Sequence, residues 1–308
     1  MSSACRVSVI MPFLDTPVEF FDEAVASVMA QTVGAWELLL VDDGSTVPEV
    51  IEAARRTVAR DPDRIRCLQH PGGGNRGIGA SRRLALLESR GEIVAMLDSD
   101  DVWPPTTLAQ QLSAFDLHPH AGACYGNTLY WSSWAGDDRV QEDYQPDLGV
   151  RTGRVHEGVR LLELLVRQRA AVPCPCSIAF RRPLLVDCDA FEAAARGMYE
   201  DQILYAKALL RTSVFVSDRC WGRYRLHSGS LCHAAEQRGE VTDLHARYLE
   251  WLDGYVREQG VDDPALSTAI RRRSWQFRRP RWVPASQQRR VLRFKKWIVR
   301  AADAVSRG

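Results

Sequence analysis

No stretch of the 308-residue chain reaches the roughly 18 uninterrupted apolar positions that a membrane helix needs. The N-terminus, MSSACRVSVI, has no basic region leading into a long apolar core, so no signal peptide is expected. Net charge is nearly lacking as well. Forty Lys and Arg oppose 39 Asp and Glu, and the resulting +1 gives no global field that would select nucleic acid or an anionic surface. The eight cysteines form no CxxC pair and no Cys/His zinc spacing, which argues against a structural zinc module. Only Cys174 and Cys176 lie close together, as a CxC metal pair or as small buried residues. A cytoplasmic protein with reduced thiols is the default expectation.

What is present is apolar material, 45% of the chain and enough for a sizeable core, laid out as alternating strands and helices. Arg6 to Met11 (RVSVIM) predicts a first strand buried on both faces and ended by Pro12, which cannot donate to a ladder. Pro17 to Gln31 carries Val18, Phe21, Val25 and Val28 at helical spacing. Trp36 to Val41 is a second strand, Pro48 to Arg60 a helix, Ile65 to Gln69 a third strand, Ala80 to Ser89 a helix and Ile93 to Leu97 a fourth strand. This alternation predicts an α/β fold with a doubly wound, mostly parallel sheet, whose ligands sit at the carboxyl ends of the strands.

Three polar clusters occupy those ends: Pro12 to Asp15, Asp42 to Thr46, and Asp98-Ser99-Asp100-Asp101. The last is either a solvated acidic turn or a site for a hard cation such as Mg²⁺ or Mn²⁺, since unpaired carboxylates at a buried strand's end are costly. Gly72, Gly74 and Gly77 fit GxGxxG, but after the third strand rather than the first, which is a weak dinucleotide signal. These glycines let backbone approach a ligand, and Arg76 or Arg82 would meet a phosphate there.

Further on, Tyr130, Trp131 and Trp134 would stack on sugar faces or belong to the core, and Trp134 to Gly149 reads as an exposed loop. Gly158 to Gln168 predicts a helix and Val214 to Ser217 a late strand, with Trp221 to His233 following it. Glu200-Asp201 opens an apolar-periodic helix, where acids complement the helix dipole or supply a base. From Arg271 to Arg300 there are twelve basic residues, no acidic ones, and interleaved aromatics. Within Gln287 to Val305 the pattern suits a helix on an anionic membrane surface, nucleic acid, or docking onto the rest of the protein.

The order VSVIMPFLD, SVMAQT, WELLLVDDGST, GNRGIGASRR and GEIVAMLDSDDVWPP resembles family 2 glycosyltransferases of the GT-A fold, closely over about the first 110 residues and more weakly to about His233. The resemblance implies inverting transfer of a sugar from a nucleotide-diphosphate-sugar to a hydroxyl of a glycan, lipid-linked or small-molecule acceptor, with Mn²⁺ or Mg²⁺ as cofactor. It implies that Asp43 binds the nucleotide base, that Pro12 and Asp15 line the same pocket, that Asp98 faces the ribose and that Asp100 holds the metal with Ser99 and Asp101 beside it. It further implies Asp201 as base with Glu200 orienting, and Tyr224, Arg225, His227 and Ser230 closing over the diphosphate.

Phe13-Leu14-Asp15 departs from the family's commoner aromatic-Asn pair, and no Gln-x-x-Arg-Trp motif of processive enzymes follows Glu200-Asp201. UDP is the family's expected nucleotide, with thymine and guanine nucleotides left open. Residues 1–240 are read as the catalytic domain, the nucleotide-sugar half ending near 110, and 241–308 as a helical basic extension. The extension would place the protein in the cytoplasm, peripheral to the inner face of the cell membrane; nucleic acid is not expected as a partner. The competing reading is a non-catalytic nucleotide-sugar or glycan-binding protein of the same fold.

Overall fold

The computed structural model describes residues 5–138, 141–191, 199–230, 235 and 237–278. The first half is a set of parallel strands, β1 (Val7–Phe13), β2 (Trp36–Asp42), β3 (Ile65–Gln69) and β4 (Ile93–Met96). They are joined by helices α1 (Val18–Met29), α2 (Pro48–Arg60) and α3 (Ile78–Glu88). Every residue of β1, β2 and β4 is buried, as continuous apolar runs require when both sheet faces are covered. Leu38 and Leu40 join one core cluster with Phe21, Val25 and Val50, while Leu39 and Val41 join another with Ala85 and Leu86. Period-two alternation thus assigns α1 and α2 to one face and α3 to the other. Truncating one such leucine to alanine costs about 2–5 kcal/mol.

Pro12 does not end β1. The ladder to β2 continues through Pro12↔Val41 and Phe13↔Asp42, whereas the ladder to β4 stops at Ile10↔Met96. Ile10 accepts the Leu97 N–H on the β4 side, and Pro12, two residues on, turns its missing donor to that vacated side.

The second half adds α4 (Thr107–Leu117), β5 (Ala121–Trp131), β6 (Arg154–Glu157), α5 (Gly158–Val166), β7 (Ile178–Arg181), α6 (Arg182–Asp187), α7 (Glu200–Leu209) and β8 (Ser213–Arg225). The eight strands form one mixed sheet in the order β3-β2-β1-β4-β7-β5-β8-β6. β7 runs antiparallel to both β4 and β5, β8 runs parallel to β5, and β6 is antiparallel to β8. The order reverses between β1 and β4, which opens a crevice where ligands of doubly wound sheets bind.

β8 is longer than the four residues expected from its apolar run. It pairs with β5 as far as Trp131↔Arg225, across register shifts near Gly126. A Cβ on Gly126 would lie 2.6 Å from the Trp221 ring, so glycine there lets the bulged strands close. Beyond β8, α8 (Val241–Glu258) and α9 (Pro264–Arg278) pack against α5 and α7. Their Leu249, Leu252, Leu266 and Ile270 share a core cluster with Leu161 and Leu204. His245 of α8 lies beside Tyr199 and Tyr248, and burial pushes its pKa down to about 3, so it is neutral at physiological pH. The basic amphipathic stretch of Gln287 to Val305 lies outside the described residues. Among the described residues no helix is long and apolar enough to cross a membrane.

Candidate active site

The carboxyl ends of β1, β2 and β4 bring the three polar clusters together. After β2, the Asp42 carboxylate accepts the N–H groups of Gly44 (3.2 Å) and Ser45 (2.7 Å) and the Gln69 amide (3.0 Å), closing the turn. Asp43 points to the other face. Its carboxylate accepts the backbone N–H of Arg76 at 2.8 Å and of Gly77 at 2.9 Å, and His70 Nε2 lies 3.3 Å away. Asp43 therefore organises the glycine loop as well as facing it.

Gly44 fixes how closely these loops meet. At φ +89° it adopts a conformation that disfavours side chains, and a Cβ there would sit 2.6–2.8 Å from the backbone of Gly74 and Asn75. We expect Gly44→Ala to destabilise the protein by about 1–3 kcal/mol. A lower Tm together with weaker nucleotide binding checks this; an unchanged Tm would contradict it. Cavities of about 290 and 230 Å³ flank the turn, sharing Asp42 and Gln69. The larger is floored by Phe13, Ile51 and Ala54.

Asp15 is exposed, with φ +46°. Its carboxylate accepts the N–H groups of Thr46 (2.6 Å) and Val47 (2.9 Å) just ahead of α2, and these bonds hold its pKa below the usual value. Pro12 is buried within β1. Arg76 is exposed at the loop, whereas Arg82 is buried on α3 and bonds Asp98 at 2.6 Å. Ser99 and Thr16 share a hydrogen bond at 2.7 Å beneath the turn.

The acidic turn after β4 divides by exposure. Asp100 is partly open, and its Oδ2 lies 2.9 Å from His227 Nε2. Asp101 is fully buried, and its Oδ1 accepts the Arg225 N–H at 2.9 Å. Burial, then the neighbouring Asp100 and Asp98, raise the Asp101 pKa. The Cys174 and Cys176 sulfurs, 3.3 Å apart, lie behind it, and Asp101 and both thiols place ligand atoms within 4.8 Å of one another. Burial raises both thiols. Arg225 is only 2% exposed, and its guanidinium is held by the Asp100 carbonyl (2.8 Å) and the Glu23 carboxylate (2.5 Å). Asp101 and Arg225, expected to face the donor, thus bond each other behind the turn. Tyr224 packs on Tyr130, 5.3 Å between centroids.

Asp201, in the first turn of α7, is partly buried, with its Oδ1 accepting the Gln202 N–H at 2.8 Å. Burial raises its pKa; the Arg82 cation opposes the shift and Asp98 adds to it. Glu200 lies within the electrostatic reach of the same Arg82. Arg82 thus bonds the Asp98 carboxylate after β4 and acts electrostatically on the α7 acids. Asp100 and His227 together offer a carboxylate oxygen and an imidazole nitrogen, a donor set that fits Mn²⁺ and, through the oxygen, Mg²⁺.

Sequence reasoning missed Phe20, Glu23, Thr16 and His70, which buttress the site. Their signal was present only as polar or aromatic residues close to strand ends, which has no period to reveal it. Trp134, which opens the stretch read as an exposed loop and is itself also read as core or sugar platform, is half-buried against Phe20, 5.0 Å between centroids.

Comparison with known proteins bears on the family and the fold. The succinoglycan biosynthesis protein ExoW of Rhizobium meliloti is 25% identical over 300 residues, covering 94% of this chain and 90% of its own. Protein y4gI of Sinorhizobium fredii is 34% identical over 141 residues, 46% of this chain, but the match spans only 15% of that longer relative. Among solved structures, Staphylococcus aureus TarS 1-349 with UDP-GlcNAc superposes with a TM-score of 0.64 at 20% identity, over 96% of this chain and 81% of that one. The mannosyltransferase PcManGT of Pyrobaculum calidifontis, with GDP-Man and Mn²⁺, gives 0.60 at 17% identity, over 99% and 75%. These likenesses establish the GT-A fold. The pattern of glycosyl transferase family 2 matches residues 8–186. Because that match runs from β1 into α6, through more than half of the chain and both acidic turns, the protein belongs to glycosyl transferase family 2 and is a glycosyltransferase.

Proposed function

We propose that the protein transfers a sugar from a nucleotide-diphosphate-sugar to a glycan hydroxyl, with inversion and with a divalent cation at Asp100. The observation that carries this reading is that buried Arg82, bonded to Asp98 at 2.6 Å, also acts electrostatically on the α7 acids Glu200 and Asp201. One buried cation thus couples the acidic turn after β4 to the acids that open α7.

In this reading Asp43 and the glycine loop receive the base, and Asp98, tethered by Arg82, meets the ribose. Asp100, with His227 beside it, would hold the cation, which when bound neutralises charge building on the leaving diphosphate. Asp201 takes the proton from the attacking hydroxyl, and its raised pKa brings its basicity closer to the operating pH. Glu200 orients Asp201 or the acceptor. A glycan acceptor is supported by the name of ExoW, a succinoglycan biosynthesis protein. Exposed Arg271, Arg272 and Trp275 on α9 lead into the basic stretch that would meet an anionic membrane surface.

Inversion is tested by NMR of the sugar first released when water serves as slow acceptor. Release of the anomer opposite to the donor's supports the reading; initial retention contradicts it.

A further inference from the structure

We propose that Arg225 is a positioning residue that sets Asp100 for its cation, and that Phe20, Trp131 and Trp134 hold its guanidinium rather than a sugar. This rests on the reading of Asp100 as the metal carboxylate.

The geometry is specific. The Arg225 guanidinium carbon lies 4.3 Å from the Phe20 ring centroid, 4.6 Å from Trp131 and 5.2 Å from Trp134. Aromatic faces attract a cation, and a planar guanidinium can stack on them while its edge still donates hydrogen bonds. Those edge donors go to two places: Nε to the Asp100 carbonyl and Nη2 to Glu23. The Arg225 backbone N–H adds the bond to Asp101. A cation only 2% exposed needs such compensation, because an unpaired buried charge costs far more than its contacts return.

The arrangement reaches the site through two consecutive links. Pinning the Asp100 carbonyl fixes the peptide that orients the Asp100 carboxylate. The residues after Arg225 are fixed in turn: the Leu226 N–H bonds the Trp131 carbonyl at 3.0 Å, and the Trp134 indole N–H bonds the Leu226 carbonyl at 3.0 Å. His227 then arrives 2.9 Å from Asp100, with its ring against Phe20 at 5.4 Å. One buried arginine therefore registers both partly open groups, Asp100 and His227. No polar atom of its guanidinium need touch the substrate. Groups that orient ligands typically alter metal affinity about 10–100-fold when removed.

The test is Mn²⁺ affinity of the full chain, read from the electron paramagnetic resonance signal of free Mn²⁺, beside UDP affinity in the presence of chelator. We expect Arg225→Met to weaken Mn²⁺ binding about 10-fold or more, with chelator-phase UDP affinity unchanged. Arg225→Lys, which keeps charge but not the planar fork, should fail to restore it. Glu23→Gln, at a side chain 54% exposed, should weaken Mn²⁺ binding roughly two- to fivefold and leave folding intact. An Arg225→Met protein with wild-type Mn²⁺ affinity, or one losing UDP and Mn²⁺ affinity in parallel, would overturn the proposal. If that variant does not fold, unchanged Mn²⁺ affinity in Glu23→Gln overturns it. Asp100→Asn separates the two readings. It should abolish Mn²⁺ binding, and wild-type affinity there would overturn the metal reading and this inference with it.

Discussion

Replacing Asp201 by asparagine is expected to lower sugar transfer about 10²–10⁴-fold while leaving donor binding intact. The substitution keeps the shape of the side chain and the oxygen that accepts the Gln202 N–H, so geometry survives and only basicity is lost. The pH behaviour carries a sign. Burial raises the Asp201 pKa above its ordinary 3.8, so the acid limb of kcat/KM falls at a higher pH than a solvated aspartate would give. Stability runs the other way. A carboxyl with a raised folded pKa contributes stability below its unfolded pKa and loses it as pH rises through the folded one. At neutral pH the ionised Asp201 is therefore a stability cost, and Asp201→Asn should melt no lower than wild type. Loss of activity accompanied by a lower Tm and lost donor binding would instead mark a folding defect and remove Asp201 from the base role.

The second large effect is expected at Asp100. Asp100→Ala should reduce transfer about 10²–10³-fold, the range for deleting a group that stabilises developing charge. It should also make the residual rate the same with Mn²⁺ and with chelator. The expectation follows from how the turn divides its carboxylates. Asp98 is tethered to buried Arg82, and Asp101 is fully buried against the Arg225 backbone. Asp100 remains, its side chain 30% exposed beside His227. If Asp100→Ala kept its Mn²⁺ stimulation, the cation would have to sit elsewhere.

The parallel strands and their helices were legible because a strand buried on both faces writes itself as an unbroken apolar run. The polar clusters at their carboxyl ends were legible because acids there interrupt that run sharply. Where the pattern fails, the physical reason is local. Asp218 and Arg219 break the apolar run of β8, so Trp221 to Arg225 read as loop although the ladder to β5 continues through Arg225. Asp101 read as a neighbour of the metal because a charged residue is rarely fully buried. Its burial depends on a backbone N–H supplied 124 residues later. Trp131 and Trp134 read as sugar platforms or core for the same reason: their partner, Arg225, comes from a distant strand and leaves no periodic trace. Asp15 illustrates a milder difference. It sits at the expected strand end, yet its carboxylate serves the N–H groups ahead of α2.

The most direct measurement is nucleoside diphosphate release from a panel of nucleotide-sugars by the purified protein with Mn²⁺ or Mg²⁺. The account predicts slow release from at least one donor, abolished by chelator and restored by added cation. Absence of both release and binding for every donor would contradict the donor site built by Asp43, Asp98 and Asp100.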